Sequence, residues 1–67
     1  MEFNQLMRNL REKTGLTQEE AAIKMGVTTN TIQNWERGSC KPGIELLSVI
    51  SEVYTVKTDD IIQTLRK

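Results

Sequence analysis

The 67-residue chain sets nine Lys and Arg against nine Asp and Glu, a formal net charge of zero at pH 7. A chain this short makes one small domain, residues 1–67, which buries only about 60% of its unfolded surface and therefore needs closely packed helices. Cys40 as the only cysteine and the lack of histidine exclude an internal disulfide, a zinc site of the usual ligands and the nucleophile or base constellations of an enzyme, so neither metal nor cofactor is expected. No basic-then-apolar leader opens the chain, and no apolar run approaches the roughly 18 residues that span a bilayer, so a soluble, intracellular protein without a membrane partner is expected. Zero charge speaks against a nucleic-acid partner unless the positive groups gather on one face.

Phe3, Leu6, Met7 and Leu10 fall at i, i+3, i+4 and i+7, the stripe of an amphipathic first helix that Gly15 closes. Thr17 then reads as an N-cap, Glu20 as its capping-box partner and Leu16 as a staple onto Ala21, which starts a second helix from Gln18 to about Met25. The small Ala21 and Ala22 let a neighbouring helix cross close by. Gly26 ends that helix, and Thr28 caps a third, Thr29 to about Arg37, with Val27 stapling onto Ile32 and Gly38 closing it.

Ser39 to Gly43, with the single proline, is a loop. In the fourth helix Ile44, Leu46, Leu47, Val49, Ile50, Val53 and Tyr54 cover most of the circumference, so it is expected to be the most buried element, around which the others pack. A cap at Thr58, with Asp59 and Asp60 in the first turn, begins a fifth helix carrying Ile61, Ile62 and Leu65. Its end just before Lys67 suggests a complete protein. The fold expected is all-α, a bundle of five helices.

Two short helices joined by a tight glycine corner form a helix-turn-helix, here over about residues 17–37, whose second helix enters the major groove of DNA. At about 100° per residue, Trp35 and Thr28 share the Ile32 side of helix three, whereas Asn30, Gln33, Asn34 and Arg37 spread across the opposite face. Amides both donate and accept, so Asn or Gln can bond adenine N6 and N7 together, and Arg can fork onto guanine. A polar, charge-poor outward face suits reading bases.

"LREKTGLTQEEAAIKMGVTTNTIQNWERG", followed by "KPGIELLSVISEVYTV" and "DDII", closely resembles the phage-repressor and Cro type of helix-turn-helix domain, the Xre-like transcription regulators of bacteria and phages. The resemblance covers about residues 4–65. It implies a lambda-repressor-like bundle that regulates, most often represses, transcription in the cytoplasm, binding a partly palindromic operator in double-stranded DNA as a homodimer.

By position, the resemblance carries base reading to Thr29, Asn30 and Asn34, with Gln33 close to the groove and Arg37 meeting a base or the backbone. Phosphate contact falls to Gln18 and Thr28, where helix N-termini offer free N–H groups, to Lys41 in the following loop, and to Arg11 as a shared role. Arg11 and Glu36 match a structural salt bridge tying helix one to helix three.

Blander roles stand beside these. Trp35 reads as a core anchor before a stacking platform, Cys40 as a passive loop thiol, and Lys57, Arg66 and Lys67 as solvated charges. Glu12, Glu19 and Glu20 must lie away from DNA or beside a cation. Val56, Ile61, Ile62 and Leu65 are candidates either for a dimer surface or for the monomer core. The neutral balance also admits a protein-interaction module, such as an antitoxin or adaptor, built on the same bundle.

Overall fold

The computed structural model describes residues 2–66. Five helices account for most of them: α1 (Phe3–Thr14), α2 (Gln18–Met25), α3 (Thr29–Arg37), α4 (Ile44–Tyr54) and α5 (Thr58–Leu65). α3 lies on both α1 and α2, α4 packs on α1, α2 and α5, and α5 closes onto α1 and α4. No helix among the described residues is long and apolar enough to cross a membrane.

Three of the helix starts follow one device. α2 opens with a complete capping box: Thr17 Oγ1 accepts from the Glu20 N–H at 3.1 Å, and Glu20 Oε1 accepts from the Thr17 N–H at 2.9 Å. The bond from the Thr17 N–H, and after it the Thr17 hydroxyl, hold the Glu20 carboxyl below its ordinary value. A hydrophobic residue just before the caps of α2, α3 and α5 matches one four positions into the helix, giving Leu16 with Ala21, Val27 with Ile32 and Val56 with Ile61. All three inner partners are at most 1% exposed.

That pattern corrects the expected cap at Thr58. The residue flanking α5 is Lys57, extended at φ −70 and ψ 137, and its carbonyl accepts from the Asp60 and Ile61 N–H groups at 3.0 and 3.4 Å. Only this register puts Val56 in the stapling position, so packing of Val56 and Ile61 overrides the capping preference of a threonine hydroxyl.

The core is Phe3 and Met7 of α1, Ala21, Ala22 and Met25 of α2, Ile32 and Trp35 of α3, Leu47, Ile50 and Tyr54 of α4, and Ile61 of α5. Trp35, 2% exposed, is a core anchor and has no face free for stacking. α4 is not the most buried element: Leu46, Val49 and Val53 are half-buried, and Ile44, in its first turn beyond Gly43, is 86% exposed. An apolar circumference overstates burial where a helix end projects past its neighbours. Ile61 is fully buried in the core, and Val56, Ile62 and Leu65 are half-buried and pack against it. Lys57 and Arg66 are exposed, and Lys67 lies outside the described residues.

Four helices end in a left-handed residue, three at glycine and one at Thr55, φ 53. A β-branched residue there is strained by about 1–2 kcal/mol, while glycine costs roughly 0.5–1 kcal/mol in extra unfolded-state freedom. Thr55→Gly is therefore expected to raise the urea midpoint slightly, by a net gain of about 0.5 kcal/mol; a lowered midpoint would show that the strain is already relieved.

Candidate nucleic-acid interface

The corner between α2 and α3 is built by backbone bonds. Gly26, at φ 73, turns the chain so that its own N–H and that of Val27 return to the carbonyls of Ile23 and Ala22 at 3.3 and 3.0 Å. The chain then straightens at Thr28, whose Oγ1 accepts from the Thr31 N–H at 3.2 Å and so fixes where α3 begins. Ala21 and Ala22, 0% and 2% exposed, bring α3 close, and Ile32 and Trp35 fasten it to the core.

With those two side chains turned inward, the polar ones face out. Asn30 and Arg37 are exposed, and Thr29, Gln33 and Asn34 are half-buried. The chain beyond Gly38 folds back so that the Ser39 and Cys40 N–H groups bond the Asn34 backbone carbonyl at 3.0 and 3.4 Å. Thr28 is exposed at the N-terminal end of α3, and Lys41 is exposed in the loop, forming no ion pair among the described residues. Cys40 is an exposed free thiol.

Beside this face Glu36 gathers three elements. Arg11 of α1 forks onto it, Nε to Oε2 at 2.6 Å and Nη2 to Oε1 at 3.1 Å, while Arg11 Nη1 donates to the Leu16 carbonyl at 2.9 Å. Gln18, the first residue of α2, donates Nε2 to Glu36 Oε1 at 3.2 Å. The side chains of Arg11 and Glu36 are 14% and 7% exposed. Hydrogen bonding to Glu36 holds the Arg11 guanidinium above its ordinary value. Two of the five Arg11 N–H groups and one of the Gln18 amide hydrogens are left uncommitted by these bonds. Arg11, Gln18, Gln33, Glu36 and Arg37 line one open depression of about 410 Å³ together with Arg8, a residue the sequence reading passed over although it lies one helical turn from Arg11. Thr28, Thr29, Asn30, Asn34 and Lys41 are not among its lining residues.

Tyr54 also bears on this cluster from below. Its hydroxyl is buried without a hydrogen-bond partner among the described residues. Burial, with the field of the Glu36 carboxylate, pushes its pKa up to about 12. An unpaired buried hydroxyl costs about 1–3 kcal/mol. Tyr54→Phe removes it without changing the ring, so the expected result is a gain of about 1 kcal/mol by urea titration, and a loss of that size would reveal a hidden partner for the oxygen.

Residues 7–61 match the family described as helix-turn-helix. The chain belongs to the helix-turn-helix family. Among curated relatives of this helix-turn-helix chain, it is 37% identical over 62 residues to the HTH-type transcriptional activator BcrR of Enterococcus faecalis, covering 92% of the chain and 30% of BcrR. It is 36% identical over 59 residues to the HTH-type transcriptional regulator ImmR of Bacillus subtilis, covering 88% of the chain and 46% of ImmR. The chain thus spans less than half the length of these two regulators. In fold the domain is similar to the P22 c2 repressor crystallised in complex with synthetic operator 9T, with a TM-score of 0.89 at 23% identity, covering 96% of this chain and 97% of that one. The five-helix, lambda-repressor-like architecture is therefore established, and the helix-turn-helix family is not a class of enzymes.

Proposed function

We propose that this domain is a sequence-specific DNA-binding transcription regulator, a repressor, that lays α3 in the major groove. One observation carries the reading: α3 commits Ile32 and Trp35 to the core and leaves on its other side a row of amides and a guanidinium, Asn30 and Arg37 exposed and Gln33 and Asn34 half-buried. In this reading Thr29, Asn30, Gln33, Asn34 and Arg37 meet base edges, while Gln18, Thr28, Lys41 and Arg11 hold phosphates. Glu36 keeps Arg11 and Gln18 aimed. Residues 1–67 act as one domain, with the motif over about residues 17–37.

Each base contact is worth roughly 1–3 kcal/mol of discrimination, so useful specificity calls for two copies on half-sites about 34 Å apart, a homodimer on a partly palindromic operator. Repression needs only occupancy of the operator by the bound protein. A cytoplasmic site of action, in a bacterial cell or one carrying a phage, follows from this role.

Selecting bound duplexes from a random oligonucleotide pool and titrating the winner with salt tests the proposal. The expected result is an enriched, partly palindromic sequence and a log–log slope of about −0.9 per phosphate neutralised. The zero net charge of the chain favours one rival, a protein-interaction module of the antitoxin or adaptor kind. No enriched sequence and a flat salt response would decide for that rival.

A further inference from the structure

We propose that Arg8 is a further phosphate-binding residue, seating a backbone phosphate together with Arg37 at the mouth of the depression around Glu36. This inference rests on the DNA-binding reading above and deepens it.

The depression is lined by six side chains, Arg8 and Arg11 from α1, Gln18 from α2, and Gln33, Glu36 and Arg37 from α3, every one of them polar. Its one carboxylate is already satisfied: Glu36 takes bonds of 2.6 and 3.1 Å from Arg11 and 3.2 Å from Gln18. With Arg11 and Glu36 cancelling and Glu12, outside the lining, set against Arg8, Arg37 remains as a local excess of positive charge that grows when Arg8 leaves Glu12, in a chain whose total is zero. The neutral composition therefore conceals a cationic spot beside the face of α3.

Neither arginine is tied down. Arg37 is exposed and forms no ion pair among the described residues. Among the described residues Arg8 forms one ion pair, with Glu12 four residues on along α1, through a 3.3 Å contact between side chains 66% and 54% exposed. Such an exposed pair is weak and screened by salt, so Arg8 can leave it for a stronger anion. A phosphate is that anion: its oxygens fit the guanidinium fork, and the site already holds the first residue of α2, where uncommitted N–H groups and the helix dipole favour negative charge. Gln33 lies both in this depression and on the outward side of α3, so a duplex read by α3 brings its backbone past Arg8. Glu12 then serves as a placeholder that keeps the Arg8 side chain beside the depression between encounters.

The test uses the full chain with two probes, the duplex selected from the random pool and a scrambled duplex of equal length. Arg8→Gln is expected to weaken binding to both by roughly tenfold at 0.1 M salt and to make the log–log slope shallower by about 0.9, the signature of one lost phosphate. Arg8→Lys keeps the charge and the slope. Lys57→Gln makes the same charge change beside a different depression, formed by Ser51, Glu52, Thr55 and Val56, and leaves both affinities within twofold of the parent. Because Arg8 is exposed, Arg8→Gln is expected to melt with the parent, separating binding from folding. An Arg8→Gln slope equal to that of the parent, with the parent still binding steeply and selectively, overturns the role of Arg8 and leaves the regulator reading intact. A loss as large in Arg8→Lys as in Arg8→Gln also overturns it. A parent chain that binds neither duplex defeats both inferences together.

Discussion

Arg11→Met lowers the unfolding free energy by about 3 kcal/mol, a large fraction of what so small a domain has to lose. The variant leaves the Glu36 carboxylate, 7% exposed, without its counter-charge and the Leu16 carbonyl without its 2.9 Å donor. Gln18 alone, at 3.2 Å, cannot neutralise the stranded carboxylate. The apolar volume of methionine does not help, because the cost is the field of a charge that water no longer reaches. Removing both charges is far milder: Arg11→Met with Glu36→Leu is expected to recover most of the loss, since a buried pair often contributes little beyond the packing that replaces it. Urea midpoints of the two single variants and the double variant measure the coupling directly. An Arg11→Met protein within 0.5 kcal/mol of the parent would show that solvent screens the pair despite its low exposure.

Asn34→Ala is expected to lower the preference for the selected operator by about 1–3 kcal/mol while leaving affinity for scrambled DNA nearly unchanged. The substitution removes only the side-chain amide. The backbone carbonyl that receives Ser39 and Cys40 stays in place, and alanine favours the helix, so the domain keeps its fold. Lys41→Ala, which alters an exposed cation in the loop, should instead weaken both duplexes alike and flatten the salt response by about one phosphate. The two variants thus separate reading from holding. An Asn34→Ala protein with intact operator preference would take that residue out of the base-reading set.

Much of this architecture is legible without coordinates because its signals are local. The Thr17 and Glu20 box, the Thr28 cap and the glycines at 15, 26 and 38 act within a turn of where they stand, and α2 and α3 begin and end accordingly. The outward row of α3 follows from the same arithmetic once Ile32 and Trp35 are assigned to the core. Errors arise where a local preference competes with packing. Thr58 is a better cap than Lys57 by side-chain chemistry, yet the helix starts from Lys57 because Val56 must reach Ile61. α4 looked central because its apolar residues surround it, whereas burial depends on which neighbours lie alongside, and Ile44 has none to cover it. Contacts between distant positions leave no local trace at all. Gln18 bonding to Glu36 and Arg8 lining one depression with Arg37 each bring two helices together, and burial leaves the Tyr54 hydroxyl without a partner among the described residues.

The segregation along α3 has a consequence for how such a domain diverges. Ile32, Trp35 and the Glu36 carboxylate carry its attachment, whereas Asn30 and Arg37 are exposed and carry none of it. In the DNA-binding reading, drift at those two sites redirects the protein to new targets at little cost to the fold, so close descendants of this chain would be expected to share one scaffold and differ in their addresses.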